Sequence, residues 1–230
     1  MSTDFKREVA AYQAKKGRFD IITVPPMQFL MIDGAGDPNT SPIYAASVET
    51  LYPVAYTLKF FSKRELGRDY TVMPLEGLWW ADDMAAYTVG DKSAWQWRLM
   101  IMVPDWIERE HFEAATAQVA AKARSAKTAK VSKTSSSKSG GQATAEASGT
   151  APRLDDLRLE TYDEGLSVQT LHVGPFSDEG PVLEEMHERF IPSNGLTMTG
   201  EHHEIYLSDI RRAAPEKWRT ILRQPVGRAG

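Results

Sequence analysis

Residues 200–209 read GEHHEIYLSD. From Glu201 to Leu207 the side chains alternate with the period of a half-covered β-strand. Ile205 and Leu207 fall on one face; His202, Glu204 and Tyr206 fall on the other. A carboxylate beside a phenol on a strand has two readings. It is a solvent-washed face, as single antiparallel sheets often present, or it is the wall of a pocket.

The stretch also has a counterpart. PLEGLWW (74–80) occupies the same slot in the first half of the chain, with Glu76, Leu78 and Trp80 on one face. The first half reads as a strand in PMQFLMIDGAGD (26–37), a helix from Pro42 to about Arg64, and strands at about 70–80 and 95–103. The second half reads as a strand in LSVQTLHVGPFSD (166–178), a helix at about 179–190, the opening strand, and a last strand in KWRTILRQPV (217–226). QFLMIDG echoes QTLHVGP. Each half is strand–helix–strand–strand, and such a unit cannot cover its own sheet, so an internal duplication is the economical reading. The expected fold is α+β: two pseudo-symmetric modules forming antiparallel sheets with a ligand cleft between them.

The expected organisation is a single domain over 1–230. Its first module with a trailing helix covers 20–121, its second 153–230, and a disordered linker covers 122–152. The trailing helix is DWIEREHFEAATAQVAAKA (105–123), with Trp106, Ile107, Phe112 and Val119 as its apolar side chains. In the linker, residues 122–150 hold Val131 as the only sizeable apolar residue, too little to offset ordering entropy. Ser41 and Pro42 form a helix start, and Pro53 is expected to bend or break that helix near Leu51–Tyr52. Ser177 or Asp178 is expected to cap the second helix.

Charge and composition exclude several classes. The chain of 230 residues has no cysteine, which removes disulfides, thiolate metal sites and cysteine nucleophiles. Its net charge is −4, but residues 122–150 carry six basic and one acidic residue; the remainder has 21 basic and 30 acidic, or −9. An acidic body suits a neutral or cationic small molecule better than nucleic acid, and no specific nucleic acid is expected as a partner. The first residues, MSTDFKREVAAYQAKKGRFD, lack the apolar run of a secretory signal, and LMIMV (99–103) stops at Pro104, so a cytoplasmic protein without a membrane partner is expected.

DGAGDP lacks the third glycine of a dinucleotide loop, and GDKS (90–93) lacks the spacing of a P-loop; both read as turns. His202 and His203 are adjacent on a strand and point to opposite faces, H-E-x-x-H is absent, and no metal site is expected. There is no G-x-S-x-G elbow. No cofactor is expected. The tryptophans are more informative: Trp79 and Trp80 end one strand, and Trp95 and Trp97 begin the next. Four indoles gather there, suited either to a core or to a planar ligand. Two acids, Glu76 and Glu204, on equivalent strands of so aromatic a fold point to a cleft.

These residues carry a family resemblance. HHEIYLSDIRRAAPEKWRTILRQPV (202–226) resembles the C-terminal signature of the GyrI-like small-molecule-binding family in its stand-alone form. VQTLHVGPFSDEGPVLEEM (168–186) resembles its other marker, with His172, Gly174, Pro175 and Glu179 in register. LYPVAYTLKFF (51–61) and PLEGLWW match its first half. Ile210 stands where the family has proline, Trp218 where it has an aliphatic residue or lysine, Pro53 where it has a small residue, and the Lys/Ser-rich insertion is long. The resemblance implies a ligand cleft between two modules. In transcription regulators of this kind a buried glutamate among aromatics recognises hydrophobic cations. In some stand-alone members it implies hydrolysis of cyclopropane-containing electrophiles, which protects DNA from alkylation. On this reading Glu204, Tyr206 and Tyr44 are the catalytic candidates and Glu76 is the reserve acid. Trp79, Trp80 and Trp97, with His172 and Tyr56, hold a hydrophobic aromatic small molecule. The alternative is a non-catalytic module that binds or sequesters hydrophobic, often cationic, aromatic ligands; a protein inhibitor acting through its basic linker is a third reading. Oligomeric state, monomer or dimer, is open.

Overall fold

The computed structural model of the chain describes residues 2–81, 92–134 and 151–229. A two-stranded parallel pair joins β1 (Ser2–Thr3) to β4 (Asp69–Tyr70). The large sheet is built from β2 (Asp20–Val24), β3 (Met27–Ala35), β5 (Leu75–Trp80), β6 (Gln96–Met102), β7 (Arg158–Tyr162), β8 (Gly165–Val173), β9 (Leu196–Met198), β10 (His202–Tyr206) and β11 (Arg219–Arg228). Its order is β2-β8-β11-β10-β5-β6-β3-β7, with β9 on the end of β11, and the pairings are antiparallel.

Exchanging the modules (β3 with β8, β5 with β10, β6 with β11, β2 with β7) leaves this order unchanged. β5 and β10, the two strands that carry the paired sequence motifs, meet at the centre. The outer strands are exchanged: β2 precedes the first module but pairs with β8, and β7 precedes the second but pairs with β3. Each module thus covers the other's open edge, where unpaired backbone would otherwise sit. Neither DIITV (20–24) nor RLETY (158–162) stood out in the sequence, because a strand that only covers an edge needs little alternation.

The helices differ between modules. α1 (Phe5–Glu8) is a single turn before the sheet. α2 (Pro42–Glu65) is continuous: the Ser41 hydroxyl accepts from the Tyr44 amide at 3.4 Å, Pro42 occupies the first turn, and the helix runs through Pro53 unbroken. The expected break is corrected, because Leu51, Val54, Ala55 and Leu58 are buried on either side of Pro53 and that packing outweighs one lost hydrogen bond. α3 (Arg109–Thr134) buries Phe112, Ala115 and Val119, and just before it the Trp106 indole donates to Ser62 Oγ of α2 at 3.0 Å. It continues past residue 122, where a disordered linker was expected. Ala, Lys and Arg are strong helix formers, and a helix already nucleated by docking propagates through them at little cost. Residues 135–150 of the expected linker lie outside the described residues, as does part of the GDKS turn.

In the second module, α4 (Gly180–Glu184) passes into a π-helical turn at Glu185–Phe190 and ends in α5 (Ile191–Ser193). Pro192 has no N–H for the carbonyl four residues back, and the ladder just before it takes the wider spacing. Neither Ser177 nor Asp178 caps this helix; their side chains bond each other, Ser177 Oγ to Asp178 Oδ1 at 3.0 Å. Glu179 holds the capping position, yet its carboxylate caps nothing. Among the described residues no helix is long and apolar enough to cross a membrane.

Candidate functional site

The register at the centre of the sheet decides what faces what. Glu204 pairs with Gly77, His202 with Trp79, and Trp79 in turn with Trp97. Cross-strand partners share a face, so His202, Glu204, Tyr206, Trp79 and Trp97 lie on one side. Tyr44, from the first turn of α2, closes over them: its ring stacks 6.2 Å from Trp79 and meets Trp97 edge-on at 5.3 Å. The Trp79 indole donates to the Tyr206 hydroxyl at 3.1 Å, and Trp95 packs against Trp79 at 5.6 Å. Phe176 approaches Tyr206 at 5.6 Å from the β8–α4 connection. The Trp79 indole lies over Gly77 beside Glu204, since a Cβ there would stand 2.7 Å from its Nε1.

Two more titratable groups enter from the second module. Glu179 lies beside Thr220 and faces Glu204; burial first, and the Glu204 charge second, push its carboxyl up to about 9. It is therefore protonated at neutral pH. Its Oε1 is buried without a hydrogen bond. His187 meets His202 at 6.0 Å between ring centroids, and burial, then the charge of His202, lower it to about 4. The phenols of Tyr206 and Tyr44 are likewise raised, by burial and then by Glu204. One acid thus sits among phenols and indoles with a second, neutral acid beside it.

The other side of the sheet is closed. Glu76 pairs with Ile205 and is fully buried, so it points away from Glu204. The Tyr12 hydroxyl donates to its Oε1 at 2.6 Å, and His203 Nε2 approaches its Oε2 at 3.1 Å. His203 Nδ1 reaches Glu164 Oε1 at 2.9 Å, and Arg223 Nη1 donates to Glu164 Oε2 at 2.7 Å. Arg223 also donates to Gln169 Oε1 and to the Ala11 carbonyl. Burial opposes charge on both His203 and Glu164. On Glu164 the attraction of His203 and Arg223 prevails and lowers it to about 2; on His203 the attraction of Glu164 and Glu76 prevails over burial and over the repulsion of Arg223, and raises it. Each partner is buried and bonded, which is the condition for ionised groups in a core.

Several expected site residues are therefore placed apart. Glu204, Tyr206, Tyr44 and Trp79 come together. Trp97 shares their face but is fully buried beneath Tyr44, over Gly34, with its indole donating to the Gly36 carbonyl at 3.2 Å. His172 is two strands away in the row Tyr206–Thr220–His172, its Nε2 3.1 Å from the Pro175 carbonyl, where it braces the loop leading to Glu179. Three assignments are corrected. Glu76 belongs to the buried network. Trp80 lies on the opposite face from Trp79, because neighbours on a strand alternate. Tyr56 is on the outer surface of α2, 48% exposed, beside Phe60 in a groove of about 360 Å³ that also contains Arg64 and Lys122. Glu179 was missed as a site residue although its segment was singled out, because loop geometry carries no periodicity to fix a direction. Among the described residues no group of three or more potential ligands is placed to hold a metal.

A family model described as the GyrI-like small molecule binding domain matches residues 107–226, more than half of the chain. An uncharacterized conserved protein from Listeria innocua is 37% identical, aligning over 97% of this chain and 99% of its own with a TM-score of 0.75. A hydrolase encoded by lin2189 from Listeria innocua is 36% identical over 99% of this chain and 100% of its own, also at 0.75. The C-terminal domain of EcmrR, 10% identical, shares the fold over 92% of this chain and 98% of its own at 0.51. No curated protein sequence matches significantly. With the matched segment spanning α3, the strands of the second module and the site's central glutamate, the chain belongs to the GyrI-like small-molecule-binding domain family.

Proposed function

We propose that the protein is a hydrolase that adds water to cyclopropane-containing electrophiles, with Glu204 as the base. The observation that carries this reading is Glu204 itself, a partly buried carboxylate beside two phenols on an aromatic face. The 36%-identical relative, a hydrolase by name, adds support.

Glu204 orients a water and takes its proton as the oxygen attacks the cyclopropane methylene. The ring carbon–carbon bond breaks, and its electron pair flows through the conjugated ring to the carbonyl oxygen. Tyr44 offers that oxygen a hydrogen bond where negative charge develops. Tyr206, held by Trp79 Nε1 and facing Glu204, keeps the base in position. Trp79 and Trp95 supply flat walls for a planar ligand.

The test is incubation with a spirocyclopropyl-dienone alkylator, with water addition followed by mass spectrometry beside Glu204→Gln and a no-protein control. Protein-dependent addition, lost by a factor of about 10² or more in the variant, is expected. Full turnover in Glu204→Gln would remove it as the base. A second reading rests on the same carboxylate among aromatic faces: a binding module for hydrophobic cations, without chemistry. Saturable tryptophan quenching by such a cation with no product from the dienone would favour it.

A further inference from the structure

Glu179 has no task in the site as described, and its placement is unusual. It is 5% exposed, at the start of a helix whose amides it does not cap. Thr220 lies beside the carboxyl, and Oε1 is buried without a partner. The groups facing it are Glu204 and Tyr206 from β10, Thr220 from β11, and Lys92 from the turn before β6. A carboxyl whose purpose was structural would satisfy both oxygens, because an unbonded buried polar atom costs stability. Two carboxyls facing one another also divide naturally into an acid and a base, since like charges so placed do not both ionise.

We propose that Glu179 is the acid partner of Glu204, giving its proton to the carbonyl oxygen of the bound electrophile as the ring opens. The inference rests on the hydrolase reading and deepens it. As the water oxygen bonds to the methylene and the ring bond breaks, the dienone carbonyl becomes a phenol oxygen and takes the Glu179 proton. Glu204 holds the proton lost by the water. Passing that proton back to Glu179, directly or through solvent, restores the starting state, and the net change is addition of one water. Neither Tyr44 nor Tyr206 can substitute, because both phenols are raised and keep their protons. The substrate class that fits is a planar, neutral ring system with a conjugated carbonyl opposite its strained carbon. A substrate lacking that carbonyl has nowhere to receive the proton.

The test follows single-turnover opening of a spirocyclopropyl dienone from pH 5 to pH 10 for the wild type and Glu179→Gln, with thermal melting to establish folding. Tryptophan quenching by the ring-opened phenol reports binding. Glutamine keeps the shape but has no acidic proton to give. The wild-type rate is expected to fall as the pH rises through about 9, where Glu179 loses its proton. Glu179→Gln is expected to lose about 10²-fold or more in rate, with product affinity little changed and the high-pH limb gone. A folded Glu179→Gln with the wild-type rate and the same limb overturns this inference and leaves the hydrolase intact. A wild type that never opens the dienone overturns both.

Discussion

Glu76 and Glu204 lie on the two strands that meet at the centre of the sheet, each a few residues from a tryptophan or tyrosine, and their fates are opposite. Glu76 pairs with Ile205 and enters a closed network with Tyr12, His203, Glu164 and Arg223. Glu204 pairs with Gly77, over which the Trp79 indole lies, and faces Tyr44, Tyr206 and Glu179. What separates them is parity of register: a strand alternates faces, so an offset of one residue exchanges core for pocket. Aligning PLEGLWW with HHEIYLS by sequence puts the two acids in one slot. The hydrogen-bonded register puts them on opposite faces.

The contrast is sharpest in stability. Replacing Arg223 with methionine leaves Glu164 buried with His203 as its one charged partner and frees the Ala11 carbonyl. Unfolding free energy is expected to drop by about 3–5 kcal/mol, read by urea denaturation. A loss under about 1 kcal/mol would mean that the network is an ornament of the core and not its fastening.

The two sites also differ in how they respond to pH. Glu164 is depressed, so its contribution is present above its ordinary value of 4.5 and is lost as the pH falls toward about 2. His203 is raised, so its contribution is complete below 6.5 and is lost as the pH rises through the elevated value. Glu179 is raised to about 9 and costs stability progressively between 4.5 and 9, a cost that His187, lowered to about 4, offsets up to 6.5. Thermal midpoints are expected to be highest between about pH 4.5 and 6.5 and to decline toward pH 9. Glu179→Gln should flatten part of the alkaline decline, and an unchanged slope would mean that Glu179 is already ionised.

A smaller effect probes the seat of the Trp79 indole beside Glu204. Gly77→Ala places a methyl 2.7 Å from Trp79 Nε1 and must shift the indole from Tyr206. The expected cost is about 1–3 kcal/mol in stability, with weaker ligand quenching of tryptophan fluorescence. Unaltered binding would place the ligand elsewhere.

Much of the fold was legible because it rests on local signals. The alternation in HHEIYLS, the Ser41-Pro42 helix start and the strand–helix–strand–strand order all reappear in the structure. The exchanged edge strands were not legible, since their partners lie in the other half of the chain. Within the site, Glu204, Tyr206 and Trp79 could be read from one face of one strand and its neighbour. Trp80 and Tyr56 could not be placed, because an aromatic side chain looks alike in a core, on a surface and in a pocket. Glu179 sits on a loop, where no period tells which way a carboxyl turns.

The central claim is that these two glutamates divide structure from function. Turnover of a spirocyclopropyl dienone and the urea midpoint, measured side by side for Glu76→Gln and Glu204→Gln, test it most directly. Crossed results are expected: Glu76→Gln loses stability and keeps turnover in the folded fraction, while Glu204→Gln keeps its midpoint and loses turnover. Turnover lost through Glu76 in a folded protein, with Glu204→Gln fully active, would contradict it.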